Sequence, residues 1–222
     1  MRIVLLLLLI LALPCHAADK PEVQAAGLMQ AWATIQYHMP AKVRPQKFLD
    51  LLQRVRTLAL HYPQAPEPMV WQAIALASYA QAENSRKGLK AIAQARDLLL
   101  AAEQINPKAL NGAIYITLGR LYAKAPGWPI SFGSRGKARA CLEKALAINP
   151  ESLEANYFYG DLLASGGDYA KAIEYYQKAL GAPPRPGMEA ADAGRRQEVE
   201  AALARARHRQ DSLGLFSAMS AP

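Results

Sequence analysis

Cysteine is nearly missing from this 222-residue chain, which has 2. A disulfide framework is therefore excluded, and packing must carry the stability. The 4 histidines are scattered singly, so no metal site is expected. No apolar run is long enough to cross a bilayer unaided. The run from Ile3 to Leu13 would rise about 16 Å as a helix, roughly half of a ~30 Å hydrocarbon core. Catalytic signatures are lacking too. There is no P-loop, no GxGxxG, no HExxH and no CxxC, and Gly133-Ser134-Arg135-Gly136 has the wrong spacing for a nucleophile elbow. These gaps point away from an enzyme and from any bound cofactor. Acidic residues are outnumbered, with 26 Lys+Arg against 18 Asp+Glu and a net charge of +8.

What is present begins with an address. Arg2 precedes the apolar run, and Pro14-Cys15-His16-Ala17-Ala18 follows with small residues at Cys15 and Ala17. This is a signal-peptide pattern over residues 1–17, with cleavage expected after Ala17 and Ala18 as the alternative. Acylation of Cys15 is the competing reading, and Pro14 immediately before it argues against that. The pattern predicts a periplasmic or secreted protein. Cleavage leaves Cys141 as the only thiol, read as a small apolar filler, with a reactive thiol as the alternative. His38, His61 and His208 read as surface or helix-end residues.

The remaining composition, 52% hydrophobic and 20% charged, is that of a globular chain. Its pattern is repetitive. Ala172, Tyr176 and Ala179 are spaced by four and three, with Pro184 five further on. The same ladder occurs at Ala138, Leu142, Ala145 and Pro150, and at Ala95, Leu99, Ala102 and Pro107. A looser copy is Leu51, Val55, Leu58 and Pro63. Residues 153–184 read as two short helices broken at Gly166-Gly167-Asp168, where permissive backbone is needed.

This unit resembles the tetratricopeptide repeat (TPR). Gly160 matches the small residue of the repeat's first helix, Gly167-Asp168-Tyr169 its turn, Ala172 and Ala179 its small packing positions, and Pro184 its terminal proline. Tyr115, Leu118-Gly119 and Tyr122 match the first helix of the preceding unit. The terminal prolines are separated by 44, 43 and 34 residues. Against a TPR period of ~34 the two earlier units carry about ten and nine extra residues. One insertion falls in 81–90 and lengthens a helix. The other falls in 125–136, where Pro126, Gly127, Pro129 and Gly133 exclude a continuous helix.

The resemblance implies an all-α fold, a right-handed α-solenoid of TPR-like helix-turn-helix repeats with about nine helices. The predicted organisation is an N-terminal helical pair over 18–64 forming a degenerate repeat, TPR-like repeats over 65–184, a C-terminal capping helix over 185–210 with Val199 and Leu203 inward, and a flexible tail over 211–222. The PGWPISFG and APPRPG…DAGRR stretches also resemble exported bacterial TPR proteins grouped with the T component of TRAP transporters. This chain lacks the lipid-anchor cysteine associated with that component.

Solenoids bind on the concave face lined by the first helix of each pair. The TPR pattern places Ile116, Arg120 and Lys124 there in one repeat and Tyr157, Asp161 and Ser165 in the next. The alternative is that Tyr157 packs on its neighbour and the charges are solvated. The second candidate is the loop aromatics Trp128 and Phe132, which either plug the superhelix or form a wall of a ligand site or partner contact. A third segment, Pro183 to Gly187, reads as structural, with Arg185 capping carbonyls. Arg195, Arg196, Arg205, Arg207 and Arg209 read as cations late in a helix that complement its dipole. Contact with an anionic membrane surface or an acidic partner is the minority reading of this charge. Nucleic acid is not expected as a partner outside the cytoplasm.

The leading expectation is an exported, non-catalytic adaptor that engages a protein or peptide partner in the cell envelope through its groove. The alternative is a small-molecule-binding accessory of a TRAP-type transporter, with a small apolar or anionic ligand. An adaptor needs an open groove around Tyr157 and Arg120. A carrier needs Trp128 and Phe132 to line an enclosed cavity.

Overall fold

A computed structural model describes residues 21–219, with side chains over 27–213. The expected signal peptide, with Cys15 and its cleavage site, lies outside the described residues. Within them are nine α-helices: α1 (Pro21–Ala33), α2 (Arg44–His61), α3 (Pro66–Glu83), α4 (Arg86–Ile105), α5 (Ala113–Lys124), α6 (Arg135–Ile148), α7 (Leu153–Ala164), α8 (Tyr169–Leu180) and α9 (Glu189–Met219). The chain is an all-α solenoid. The pairs α3/α4, α5/α6 and α7/α8 stack in order, and α9 lies on α8.

The four-three ladder is the buried seam of each second helix. Ala95, Leu99 and Ala102, then Ala138, Leu142 and Ala145, then Ala172, Tyr176 and Ala179 are all buried in the core. Small residues on the first helix let these seams approach. A Cβ on Gly119 would lie 2.6 Å from Cγ of Leu142, and one on Gly160 2.8 Å from Cε1 of Tyr176. Helix starts are fixed by side chains that accept backbone N–H groups: Ser134 from Lys137, Ser152 from Ala155 and Asp168 from Lys171. The extra residues around 81–90 lengthen α3 to 18 and α4 to 20 residues, leaving only left-handed Asn84 and the cap Ser85 between them.

Two expectations need correction. The 18–64 region does not form a hairpin like the later pairs. α2 packs mainly on α3, whereas α1 packs on α3 and α9, and the π-helical turn Thr34–His38 also touches α9. The cause is composition: Leu28, Trp32, Ala33 and Ile35 all need burial, which one neighbouring helix does not provide. The closing helix also continues to Met219 rather than ending at 210, so much of the predicted tail is helical. With α1 meeting both α3 and α9, the first and last parts of the solenoid are joined across its concave side.

Candidate functional site

The joined interior holds two clefts partly open to solvent, a smaller chamber of about 520 Å³ and a larger one of about 740 Å³. Trp32, Arg120, Phe158 and Arg195 line both and form the partition between them. Four elements supply these residues: α1, α5, α7 and α9. Trp32 is fixed by its indole N–H, which donates to Ser78 Oγ of α3 at 2.8 Å. The guanidinium of Arg120 lies 4.4 Å from the Phe158 ring centroid and that of Arg195 lies 4.9 Å from the same ring. Arg195 also lies over Tyr157 at 5.4 Å and Trp32 at 5.8 Å.

The two cations are not equally compensated. Arg195 is buried and pairs with Glu198 one turn along α9. Arg120 makes no ion pair among the described residues, and its one hydrogen bond is to the neutral amide oxygen of Gln81, at 3.1 Å. A guanidinium has five N–H donors, so most of those on Arg120 lack a protein acceptor. Burial first, and then the charge of Arg195, pull its pKa down to about 10. Burial first, and then Asp161, push Tyr157 up to about 12, so its phenol stays neutral near pH 7.

The smaller chamber is mostly apolar, walled by Trp71, Ile74, Ile116 and Phe158. The indole N–H of Trp71, a residue only 3% exposed, has no hydrogen-bond partner. Leu110 and Asn111 line the same chamber with φ of +47° and +52°. A leucine held in that left-handed region costs free energy and persists only where its surroundings impose it. The larger chamber is more polar and carries Lys124, Tyr157, Asp161 and Glu198. Asp161 accepts the Tyr176 hydroxyl at 2.8 Å.

The six groove candidates therefore separate. Ile116 and Arg120 line the smaller chamber, and Arg120, Lys124, Tyr157 and Asp161 line the larger. Ser165 lines neither. It accepts from Arg135 at 2.9 Å and donates to the Leu162 carbonyl at 2.7 Å.

The loop candidates separate as well. Phe132 packs edge-on against Tyr122 at 5.6 Å, under the Arg96 guanidinium. Trp128 neither plugs the superhelix nor walls a chamber: it is 89% exposed, beside Ile130 at 70%. The loop holds its own shape instead. Gly133 N–H donates to the Pro126 carbonyl at 2.8 Å, and Ser134 N–H to the Tyr122 carbonyl at 2.9 Å. A Cβ on Gly133 would sit 2.0 Å from the Ala125 carbonyl oxygen, so only glycine closes this turn.

Near α9, Arg185 does not cap carbonyls. It pairs with both Glu154 and Asp192. The capping falls to Arg196, which donates to the carbonyls of Leu180 and Ala182 at the end of α8. Nor does Arg195 complement a helix C-terminus, since it lies in the second turn of a 31-residue helix.

Sequence reasoning missed Arg195, Trp32, Trp71 and Phe158. A signal for Arg195 was present. Asp192, Arg195, Val199, Ala202 and Ala206 share one three-four register, and all are buried.

Comparisons with known proteins agree with this fold. Residues 131–189 match the family model described as tetratricopeptide repeat. The crystal structure of a thermophilic TPR protein in Thermus thermophilus is similar, with a TM-score of 0.54 and 23% identity. The likeness covers 84% of this chain and 92% of that one. A search of curated proteins found no match.

Proposed function

We propose that this protein is an exported, non-catalytic repeat module that engages another protein of the cell envelope, with the Trp128 loop as its anchoring contact. The signal-peptide pattern at 1–17 supports export, and TPR folds serve protein binding. The observation that carries the reading is Trp128 itself, 89% exposed on a loop fastened by Phe132 and by its own backbone hydrogen bonds. A large aromatic held in water on a pre-shaped loop loses little entropy on binding, as interface anchors require. α1 and α9 meet across the concave side and leave less room there for a folded partner. The test is native mass spectrometry on protein purified gently from its own envelope. Wild type is expected to retain a partner chain that Trp128→Ala loses, with stability changed by less than about 0.5 kcal/mol. A partner retained by Trp128→Ala but lost on mutation of Arg120 or Tyr157 would return the contact to the groove. A bare protein in every case would overturn the reading.

A second reading, a small-molecule-binding accessory, is favoured by the smaller chamber, a concave and mostly apolar cleft of about 520 Å³ with Arg120 and Arg195 in its lining.

A further inference from the structure

We propose that the smaller chamber binds a small organic carboxylate with an apolar body, the carboxylate seated on Arg120 and Arg195 and the body against Trp71, Ile74 and Ile116. The inference deepens the second reading above and does not depend on the Trp128 contact.

Three independent observations converge. First, Arg120 is a half-buried guanidinium with one neutral hydrogen-bond partner and no ion pair among the described residues. Beside it lies the second guanidinium, Arg195, which is paired with Glu198. A partly buried guanidinium with spare N–H donors can take up an arriving anion, and a carboxylate matches its planar fork. Second, the anions of this chamber are already engaged or peripheral: Glu154 is held by Arg185, and Glu151 is exposed. An incoming carboxylate therefore meets no ion-paired partner on Arg120 from this chamber, the nearby Glu198 lying on the other side of the partition and paired with Arg195. Third, the remaining walls are aromatic and aliphatic, and about 520 Å³ lies within the roughly 300–1,000 Å³ of sites that hold small organic ligands.

The same walls disfavour inorganic phosphate. A strongly hydrated, doubly charged ion would give up water to Trp71, Ile74 and Ile116, whose apolar faces return no hydrogen bonds. The partition also gives the ligand a polarity. Its charge lies at the Arg120–Phe158–Arg195 stack, and beyond that stack the carboxylates of Asp161 and Glu198 face the larger chamber.

The test uses the purified protein and three probes, 4-phenylbutyrate, 4-methylvalerate and octanoate, each titrated against its primary amide by calorimetry. At least one acid is expected to bind at least tenfold more tightly than its amide. Arg120→Gln should remove that preference while leaving the amide affinity unchanged. In a Trp128→Phe background, the bound acid should change the emission of the buried Trp32 and Trp71. Inorganic phosphate and a short peptide with a free C-terminal carboxylate serve as competitors, and both should be at least tenfold weaker. No saturation by any of the three acids overturns the proposal. Equal binding of acid and amide overturns it too, as does an unchanged preference in Arg120→Gln. Tighter binding of phosphate overturns the apolar body, and tighter binding of the peptide overturns the small ligand. Should Arg120→Gln fail to fold, the acid-against-amide ratio in the wild-type protein decides the question alone.

Discussion

One methyl group added at Gly160 and at Gly136 is expected to move stability in opposite directions. On α7, a Cβ at Gly160 would lie 2.8 Å from Cε1 and 2.9 Å from Cδ1 of Tyr176, and 3.3 Å from the Ala172 carbonyl oxygen. Carbon atoms rest comfortably at about 3.5–4.0 Å, so the ring must retreat by roughly 0.6–1.2 Å. It has little room, because Tyr176 is only 2% exposed and its hydroxyl is tied to Asp161 at 2.8 Å. Overpacking of this kind costs about 1–3 kcal/mol. Losing a hydrogen bond to a carboxylate adds about 1.5–3 kcal/mol where the ring swings away. The helix preference of alanine over glycine offsets about 1 kcal/mol. The expected net loss for Gly160→Ala is about 2 kcal/mol, or roughly 4–8 °C in Tm for a chain of this size. At Gly136, in the first turn of α6, nothing lies within 4 Å of the added carbon. Only the propensity gain remains, about 0.5 kcal/mol. Paired urea titrations followed by circular dichroism read both differences, with unchanged m-values. Gly160→Ala as stable as wild type would refute the reasoning, as would equal losses at the two sites.

The clamp of Arg185 and the lone thiol give two further predictions. Arg185→Met leaves Glu154 and Asp192 without their cation, at side-chain exposures of 17% and 8%. Removing one partner of a buried pair costs about 3–5 kcal/mol. Arg185 is itself a third exposed, so water screens part of this and about 2 kcal/mol is expected. A urea midpoint within error of wild type would show the clamp to be inert. Burial raises the Cys141 thiol above its ordinary value of 9.0. Less thiolate is then present at pH 8, so iodoacetamide should alkylate the folded protein more slowly than the urea-unfolded chain. The folded rate should climb with pH through a higher midpoint than that of the unfolded chain, and equal rates at pH 8 would contradict the assignment.

The repeats were legible because their information is local. A three-four ladder of Ala, Leu and Tyr names a helix face, a glycine opposite it names a close approach, and Pro126, Gly127, Pro129 and Gly133 name a stretch that is not helical. The interior was less legible because it is made by segments distant in sequence. Nothing near Trp32 announces that α1 will lie against α9, more than 150 residues away. Arg195 reads as one more cation on a polar helix until its register with Val199 and Ala202 is counted. Trp128 misled for a different reason. A long aromatic loop is expected to bury its largest side chain, but here Phe132 and the loop's own hydrogen bonds do the fastening, leaving the indole outside.

The partition also makes a statement about stability that separates structure from function. Arg120 is a half-buried charge repelled by Arg195 and attracted by Glu198, with one hydrogen bond to Gln81 and the face of Phe158 beside it. The hydrogen bond contributes about 1 kcal/mol and the cation–π contact about 0.5–2 kcal/mol. Replacing buried ionic groups with apolar ones of similar volume is often neutral or stabilising by about 1–4 kcal/mol. Arg120→Met keeps the length and apolar bulk of the side chain and removes the charge. Without added ligand the variant is therefore expected to melt no lower than wild type, with a gain of up to about 2 kcal/mol. Calorimetric melts without added ligand measure this directly. A loss above about 1 kcal/mol would mean that the Arg120–Phe158–Arg195 stack is a structural staple. A gain would mean that the fold tolerates a charge it does not need, which is expected of a residue kept for what it binds.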